Sequence, residues 1–367
     1  MSDQSYMEKL LDGVEVAWKR LGDVARIKNG KDHKKLGDGK FPVYGSGGIM
    51  RYADEYAYNK PSVLIPRKGS LGNLFFVDVP IWTVDTIFYT EIDESQIYPK
   101  FFYYFLTTLG LGRMNQAGGV PSQTQSVLNE LQIPIPPLSI QKEIVHILDT
   151  FTELTTELTT ELTNRKRQYN HYRDQLLSFE DGEVEWKTLG GLAENLDYMR
   201  KPITSGLRES GSFPYYGASG IVDYVKDYIY DGDFLLVSED GANLLARSTP
   251  IAFSISGKNW VNNHAHVLRF ESYEERRYIE YYLNSIDLTP YISGAAQPKL
   301  NQANLNGIRI PNPSFEDKVR IVAILDKFDT LAHSISEGLP REIEQRQKQY
   351  EYYRNLLLSF PKPEIMA

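Results

Sequence analysis

The chain has 367 residues, 41% hydrophobic and 12% aromatic, enough apolar material for two or three packed domains and too much for a disordered chain. It has no cysteine, which excludes disulfides and thiolate metal sites, and no run of 18 apolar residues. Forty basic and 48 acidic residues leave a charge of −8, which by itself argues mildly against a nucleic-acid binder.

The first 22 residues lack an apolar signal core, which with the missing cysteine predicts a cytoplasmic protein. From Arg26 to Lys68 ten Lys/Arg stand against four Asp/Glu, a basic patch within an acidic chain. "PSVLIPRKG" around Val63 to Gly69 reads as a short buried strand ending at a glycine turn, and "YPKFFYYFLTTL" from Tyr98 as an amphipathic helix. A polar glycine-bearing loop, "NQAGGVPSQTQSVL" (Asn115 to Leu128), precedes Pro134, Pro136 and Pro137, which are read as stopping the preceding structure.

From Ile140 the apolar positions Ile144, Leu148, Phe151, Leu154, Leu158, Leu162, Tyr169, Tyr172 and Leu176 recur at helical spacing without Pro or Gly. A rod of about 40 residues, roughly 60 Å long, is predicted. Within it Thr152 to Thr163 is TELT three times over. That tract is either a solvated helix with one leucine stripe or half of a helix pair.

The second half repeats the first in order. "FPVYGSGGI" (Phe41 to Ile49) is echoed by "FPYYGASGI" (Phe213 to Ile221), "VLIPRKGS" by "LLVSEDGA" (Leu235 to Ala242), and Trp82 by Trp260. "IPIPPLSIQKEIVHILDTF", ending at Phe151, returns as "IRIPNPSFEDKVRIVAILDKF", ending at Phe328. "HAHVLRF" reads as a strand, "EERRYIEYYLNS" as a helix, and "SGAAQPKLNQANL" (Ser293 to Leu305) as the second polar loop. Phe151 and Phe328 lie 177 apart but Tyr169 and Tyr350 lie 181 apart, so the second rod carries four extra residues, read as one more apolar quartet, with a break at Gly338-Leu339-Pro340. Phe151, Leu154, Leu158 and Leu162 are expected to face Phe328, Leu331, Ile335 and Leu339 as an antiparallel pair.

The expected fold is α+β: two mixed heads, residues 1–138 and 181–315, with helices 139–180 and 316–360 and a tail 361–367, related by a pseudo-two-fold repeat. No catalytic motif is present. The "GSGG" at Gly45 lacks a phosphate-reaching lysine, and no amino-methyltransferase or nuclease signature occurs. His264 and His266 could ligate a metal from one strand face, but no third ligand is evident, so no metal is expected.

Polar and aromatic tips suit base-edge and phosphate contacts. In the first half the candidates are Lys31, His33, Lys34, Lys35, Tyr44, Ser46, Arg51, Arg67, Lys68, Ser70, Gln116, Ser122, Gln123 and Thr124. In the second they are Arg200, Lys201, Tyr216, Ser219, Asn243, Arg247, His264, Gln297, Lys299 and Asn301. The scaffold repeats while the tips differ, as expected if the halves read different sequences; drift of an ordinary surface would look similar. An adaptor with protein- or ligand-binding heads on a coiled coil is the rival reading, and an enzyme with an unrecognised site a more distant third.

The "PIPPLSIQKEIVHILDTF" block, the quartets after it, "EGLPREIEQR", and the ends "RKRQYNHYRDQLLSF" and "RQKQYEYYRNLLLSF" together resemble the specificity subunits of type I restriction-modification systems, over nearly the whole chain. The resemblance implies two target-recognition domains with two conserved helical regions, a bipartite double-stranded DNA target with a nonspecific spacer, and no catalysis on this chain. It also implies two adenine methyltransferase subunits and ATP-dependent translocating nuclease subunits as partners, with S-adenosylmethionine, ATP and magnesium bound by those partners.

Overall fold

The computed structural model describes residues 10–11, 13–114, 120–180, 182–294, 297–334 and 336–361. In the first half the chain runs through β1 (Ala17–Arg20), β2 (Ala25–Asn29), β3 (Asp38–Gly45), β4 (Gly48–Ala53), β5 (Ser62–Pro66), β6 (Phe75–Val77), β7 (Trp82–Thr83) and β8 (Ile87–Ile92). Helix α1 (Pro99–Thr108), α2 (Gln125–Asn129), β9 (Gln132–Ile135) and the long α3 (Leu138–Leu176) follow. The second half repeats the order as β10 (Glu185–Thr188), β11 (Glu194–Asn195), β12 (Ser210–Gly217), β13 (Gly220–Val225), β14 (Tyr230–Ser238), β15 (Ala252–Val261) and β16 (Ala265–Arg269), then α4 (Tyr273–Ser285), α5 (Gln302–Asn306), β17 (Arg309–Asn312), α6 (Phe315–His333) and α7 (Gly338–Leu357). The strand and helix segments read from "PSVLIPRKG", "HAHVLRF" and the two aromatic helices all form, and the echo "LLVSEDGA" of the first strand enters β14.

The proline dividers do more than end structure. β9 pairs antiparallel with β1, setting Pro134 opposite Trp18, and β17 pairs with β10, setting Pro311 opposite Trp186. Each ladder has only two strands, so a residue without an amide donor can point its empty position away from the partner. These ladders close each head where its chain enters and leaves.

In the first head β2, β8, β5 and β6 form one sheet and β4, β3 and β7 another; in the second the equivalents fuse into a six-stranded sheet, β11-β16-β14-β15-β12-β13. The difference lies in one strand. β15 runs unbroken for ten residues, pairing with β14 and, in parallel, with β12. Its first-half counterpart is divided into β6 and β7 by residues 78–81, where Pro80 cannot donate to a ladder.

The chain divides into two compact units, residues 1–159 with 342–367, and residues 160–341. In the first unit Phe101, Phe102 and Phe105 of α1 pack with Ile144, Val145 and Leu148 of α3 and with Leu357, Leu358 and Phe360. Phe151 stacks on Tyr353, ring centres 5.3 Å apart and planes 23° apart, so the start of α3 lies against the end of α7 in antiparallel sense. In the second unit Tyr278, Ile279 and Leu283 of α4 pack with Ile321, Val322 and Leu325 of α6 and with Tyr169 and Leu177. Phe328 stacks on Tyr172 at 5.4 Å and 25°.

A polar clasp is likewise built twice. The Asp149 carboxylate accepts from Tyr104 Oη at 2.6 Å and from Lys100 Nζ at 2.7 Å. Asp326 accepts from Tyr281 Oη at 2.6 Å and from Arg277 at 3.0 Å.

The helix pairing differs from expectation in two ways. The stacking contacts are Phe–Tyr pairs, while Leu154 is exposed, Leu158, Leu162 and Leu331 are half-buried, and only Leu339 is buried; Ile335 lies outside the described residues. The four extra residues are also no additional helical quartet. Carrying the offset of 177 forward matches Thr156 with His333, and carrying 181 back matches Glu157 with Gly338, so the surplus is residues 334–337, the link between α6 and α7. Gly338 sits at φ +74°, and a Cβ there would lie 2.4 Å from the Thr330 carbonyl oxygen. Glycine is required by both conformation and space.

Candidate nucleic-acid interface

In the first unit three segments meet at the ends of β5 and β3. The turn after β5 is tied to the polar loop by an isolated bridge between Lys68 and Ser122, by Gly69 N donating to Pro121 O at 2.9 Å, and by Gln123 N donating to Arg67 O at 3.0 Å. The β3–β4 hairpin tip joins them. Ser46 N donates to Thr86 Oγ1 at 3.3 Å, the Thr86 carbonyl accepts from Arg67 N and Lys68 N, and the Asn73 amide donates to Ser46 O. A Cβ on Gly69, at φ +83°, would meet Ser46 Oγ at 3.2 Å. Thr86 and Asn73 are therefore part of the cluster, although they lie in stretches without repeat or charge signal.

The second unit reproduces this arrangement with other side chains. Asp240 bridges Lys299, Gly241 N donates to Pro298 O at 3.3 Å, and Leu300 N donates to Glu239 O at 2.7 Å. Ser238 Oγ donates to Ala218 O at the β12–β13 tip. Ser293 and Lys299 exchange both backbone hydrogen bonds at 2.8 Å, closing a turn whose Gly294 stands at φ +84°. Glu239 and Asp240 thus occupy the places of Arg67 and Lys68, and Lys299 that of Ser122.

The basic loops also correspond. Trp82 Nε1 donates to the Lys31 carbonyl at 3.1 Å and Trp260 Nε1 to the Lys201 carbonyl at 2.6 Å, so each tryptophan anchors the loop behind its hairpin. Lys31, Lys34, Lys35, Lys68, Ser70, Lys201, Ser219, His264, Gln297 and Lys299 are exposed. His33, Ser46, Ser122 and Asn301 are half-buried, Thr124 pairs with Ser126 Oγ at 2.9 Å, and Asn301 caps α5 by accepting from Asn304 N. Tyr44 and Tyr216 lie half-buried against Phe75 and Phe253.

Several candidates are occupied elsewhere. Arg51 donates to Leu36 O, Gly37 O and Asp38 Oδ1, bracing its own hairpin. Gln123 is buried and donates to Pro66 O. Arg200 is enclosed by Glu239, Asp197 and the Ala265 carbonyl. Asn243 holds the Ser248–Thr249 turn, and Arg247, at φ 52°, donates to Ile286 O on a concavity shared with Tyr169, Arg173 and His333 rather than on the loop cluster. Gln116 lies outside the described residues.

The histidines do not act as a pair. His264 Nδ1 contacts Asp240 at 2.9 Å in solvent, whereas His266 is buried with Asp197 and Glu239. A third ligand-type partner therefore exists, but Arg200 reaches both carboxylates, at 3.2 Å and 2.5 Å, and Lys299 reaches Glu239 at 3.0 Å. Both carboxylates are already met by protein cations, and a divalent ion would have to displace them.

A duplicated α+β scaffold that presents one loop cluster twice, with different polar groups each time, defines a two-headed recognition protein. The Type I restriction modification DNA specificity domain matches it twice, over residues 14–165 and 182–345, and the chain belongs to that family. It is 36% identical to the EcoR124I/EcoR124II type I restriction enzyme specificity subunit of Escherichia coli over 100% of both chains. With a putative type I restriction enzyme specificity subunit of Haemophilus influenzae it shares 31% identity over 98% of this chain and 99% of that one. Its fold is similar to the crystal structure of the type I restriction-modification S subunit from M. genitalium, with a TM-score of 0.66 over 96% of this chain and 98% of that one at 19% identity.

Proposed function

We propose that each half reads one short part of a bipartite, asymmetric double-stranded DNA target through its hairpin tip and polar loop. The observation that carries this reading is the loop cluster itself: backbone bridges are kept between the halves while Arg67, Lys68 and Ser122 give way to Glu239, Asp240 and Lys299. Cations there suit phosphates and guanine edges, and the partly exposed Asp240 carboxylate suits a cytosine amine, while the buried Glu239 is spent on Arg200 and Lys299.

In this reading the chain is a non-catalytic, cytoplasmic subunit. Adenine methylation and ATP-driven cleavage belong to methyltransferase and nuclease partners, which bind S-adenosylmethionine, ATP and magnesium. Among the described residues no helix is long and apolar enough to cross a membrane.

The test is selection from a randomised duplex library by the full chain, repeated at rising salt. Enrichment of two short motifs with a nonspecific gap, and affinity that falls steeply with salt, support the proposal. Duplex affinity without either property would favour the adaptor reading.

A further inference from the structure

The buried histidine and carboxylates of the second unit do something for which the first unit uses neither. His266 has no exposed side-chain surface, and both its ring nitrogens meet acceptors: Nδ1 lies 2.6 Å from Asp197 Oδ2, and Nε2 lies 2.7 Å from the Leu300 carbonyl oxygen. Asp197 also accepts from Val267 N at 2.9 Å and from Arg200, which leaves it no reason to carry a proton of its own. Burial pushes its carboxyl up, but the His266 hydrogen bond and charge, Val267 N–H and Arg200 together hold it below the usual carboxylate range. Only a ring with both protons satisfies both of its neighbours; a neutral ring leaves one contact without its hydrogen.

The charged and titratable groups around this ring are Asp197 just after β11, Glu239 at the end of β14 with an oxygen 3.9 Å from Nδ1, Arg200 across both carboxylates, and Lys299 on Glu239. Tyr230 stands behind them, its hydroxyl donating to Leu196 O. Two of the contacts, Nε2 to Leu300 and Lys299 to Glu239, grip the polar loop itself.

At the matching first-unit positions Phe88 replaces His266, Arg67 replaces Glu239, Gly30 replaces Arg200 and Ser122 replaces Lys299. The Arg67 guanidinium lies 5.9 Å from the Phe88 ring centre, and the loop is pinned by the Gln123 amide on Pro66 O. Neither contact involves a histidine or a carboxylate.

We propose that the His266 cluster is a latch that positions residues 297–301, making recognition by the second half, and not by the first, dependent on the protonation of His266. The inference rests on reading that loop as a DNA contact. Loss of a hydrogen bond to a buried charged group is expected to weaken second-motif preference by about tenfold.

The experiment is library selection by the full chain from about pH 6 to about pH 9, beside nitrogen-15 spectra of its histidines. Second-motif enrichment should fall about tenfold as pH rises while the first motif is unchanged, and His266 should show two protonated ring nitrogens at the acid end. His266→Phe should give weak, pH-independent second-motif enrichment. Lys299→Met, altered at an exposed side chain, should weaken enrichment at every pH while keeping its pH dependence. A second motif as indifferent to pH as the first, or a neutral His266 ring, overturns the latch. If neither motif is enriched, the DNA reading fails instead, and the ring spectra with the Leu300 amide shift in His266→Phe decide the latch by themselves.

Discussion

Arg51 and Arg200 show how far a cation's role depends on what surrounds it. Both lie in the basic segments that suggested phosphate contacts, yet Arg51 spends its donors on two carbonyls and Asp38, and Arg200 on Glu239 and Asp197. Asp197 is a neighbour three positions before Arg200, but Asp38 lies 13 residues from Arg51 and Glu239 lies 39 from Arg200, beyond the reach of local pattern. Arg51→Ala is expected to lower stability by about 1–2 kcal/mol with little change in the salt dependence of DNA binding. Replacing Lys34 and Lys35 by alanine should leave the unfolding midpoint in place and reduce the slope of log affinity against log salt by about 1 for each phosphate that a lysine no longer neutralises. Denaturant titration with salt-dependent binding separates the two; the opposite pattern would reverse these assignments.

The same buried charges predict an acid response. Burial pushes the Glu239 carboxyl up, but hydrogen bonds from Arg200 and Lys299 outweigh it and hold the group low, as for Asp197. A carboxyl lowered on folding stabilises above its unfolded value, roughly 4, and that contribution is lost as pH falls through the folded value. Glu280 works the other way: burial raises it, so its protonation relieves the folded state. The measurement is therefore amide exchange of residues 235–238 in wild type against Glu239→Gln between about pH 5 and about pH 3. The wild-type advantage should shrink toward the acid end, and an advantage that grew there would contradict the network.

Among the elements, those with clear apolar patterning are legible: α1, α3, α4, β5 and β16 fall where spacing places them, and β14 where the repeat of β5 places it. The ladders β1–β9 and β10–β17 were not, because their prolines signal termination in sequence and become edge-strand residues only once a partner over 100 positions away is present. The four extra residues read as one more apolar quartet because a run of four preserves helical phase, whereas the two helices stop at His333 and restart at Gly338. Gly338→Ala tests the break. With φ at +74° and the Thr330 carbonyl in the way, it should cost about 1–3 kcal/mol, seen as a lowered urea midpoint. A neutral result would mean that α6 and α7 can join otherwise. Deleting one TELT quartet shortens α3 by about 6 Å, less than two base-pair rises of about 3.4 Å. If α3 sets the spacing of the half-sites, the selected gap shrinks and both motifs persist; an unchanged gap rules the ruler out.

For the whole molecule, duplication makes the heads separable in a way that the repeated sequence blocks alone did not define. Those blocks located the hairpin tips and polar loops, but the places where a head begins and ends are set by the two ladders, which close at Ala17–Ile135 and Glu185–Asn312. Each ladder is followed directly by a helix carrying the same clasp, Asp149 with Tyr104 in one half and Asp326 with Tyr281 in the other. A graft should therefore run from ladder to ladder and keep the clasp partners matched. Replacing residues 185–312 by residues 17–135, with Asp326 retained to receive the transplanted Tyr104 and Lys100, preserves both junctions and substitutes one reading cluster for the other. The chimaera is expected to select the same short motif in both parts of its target, to lose the pH dependence traced to His266, and to bind with a steeper salt slope, since Arg67 and Lys68 would replace Glu239 and Asp240. Persistence of the original second motif would place its readout in the retained helices, outside the loops.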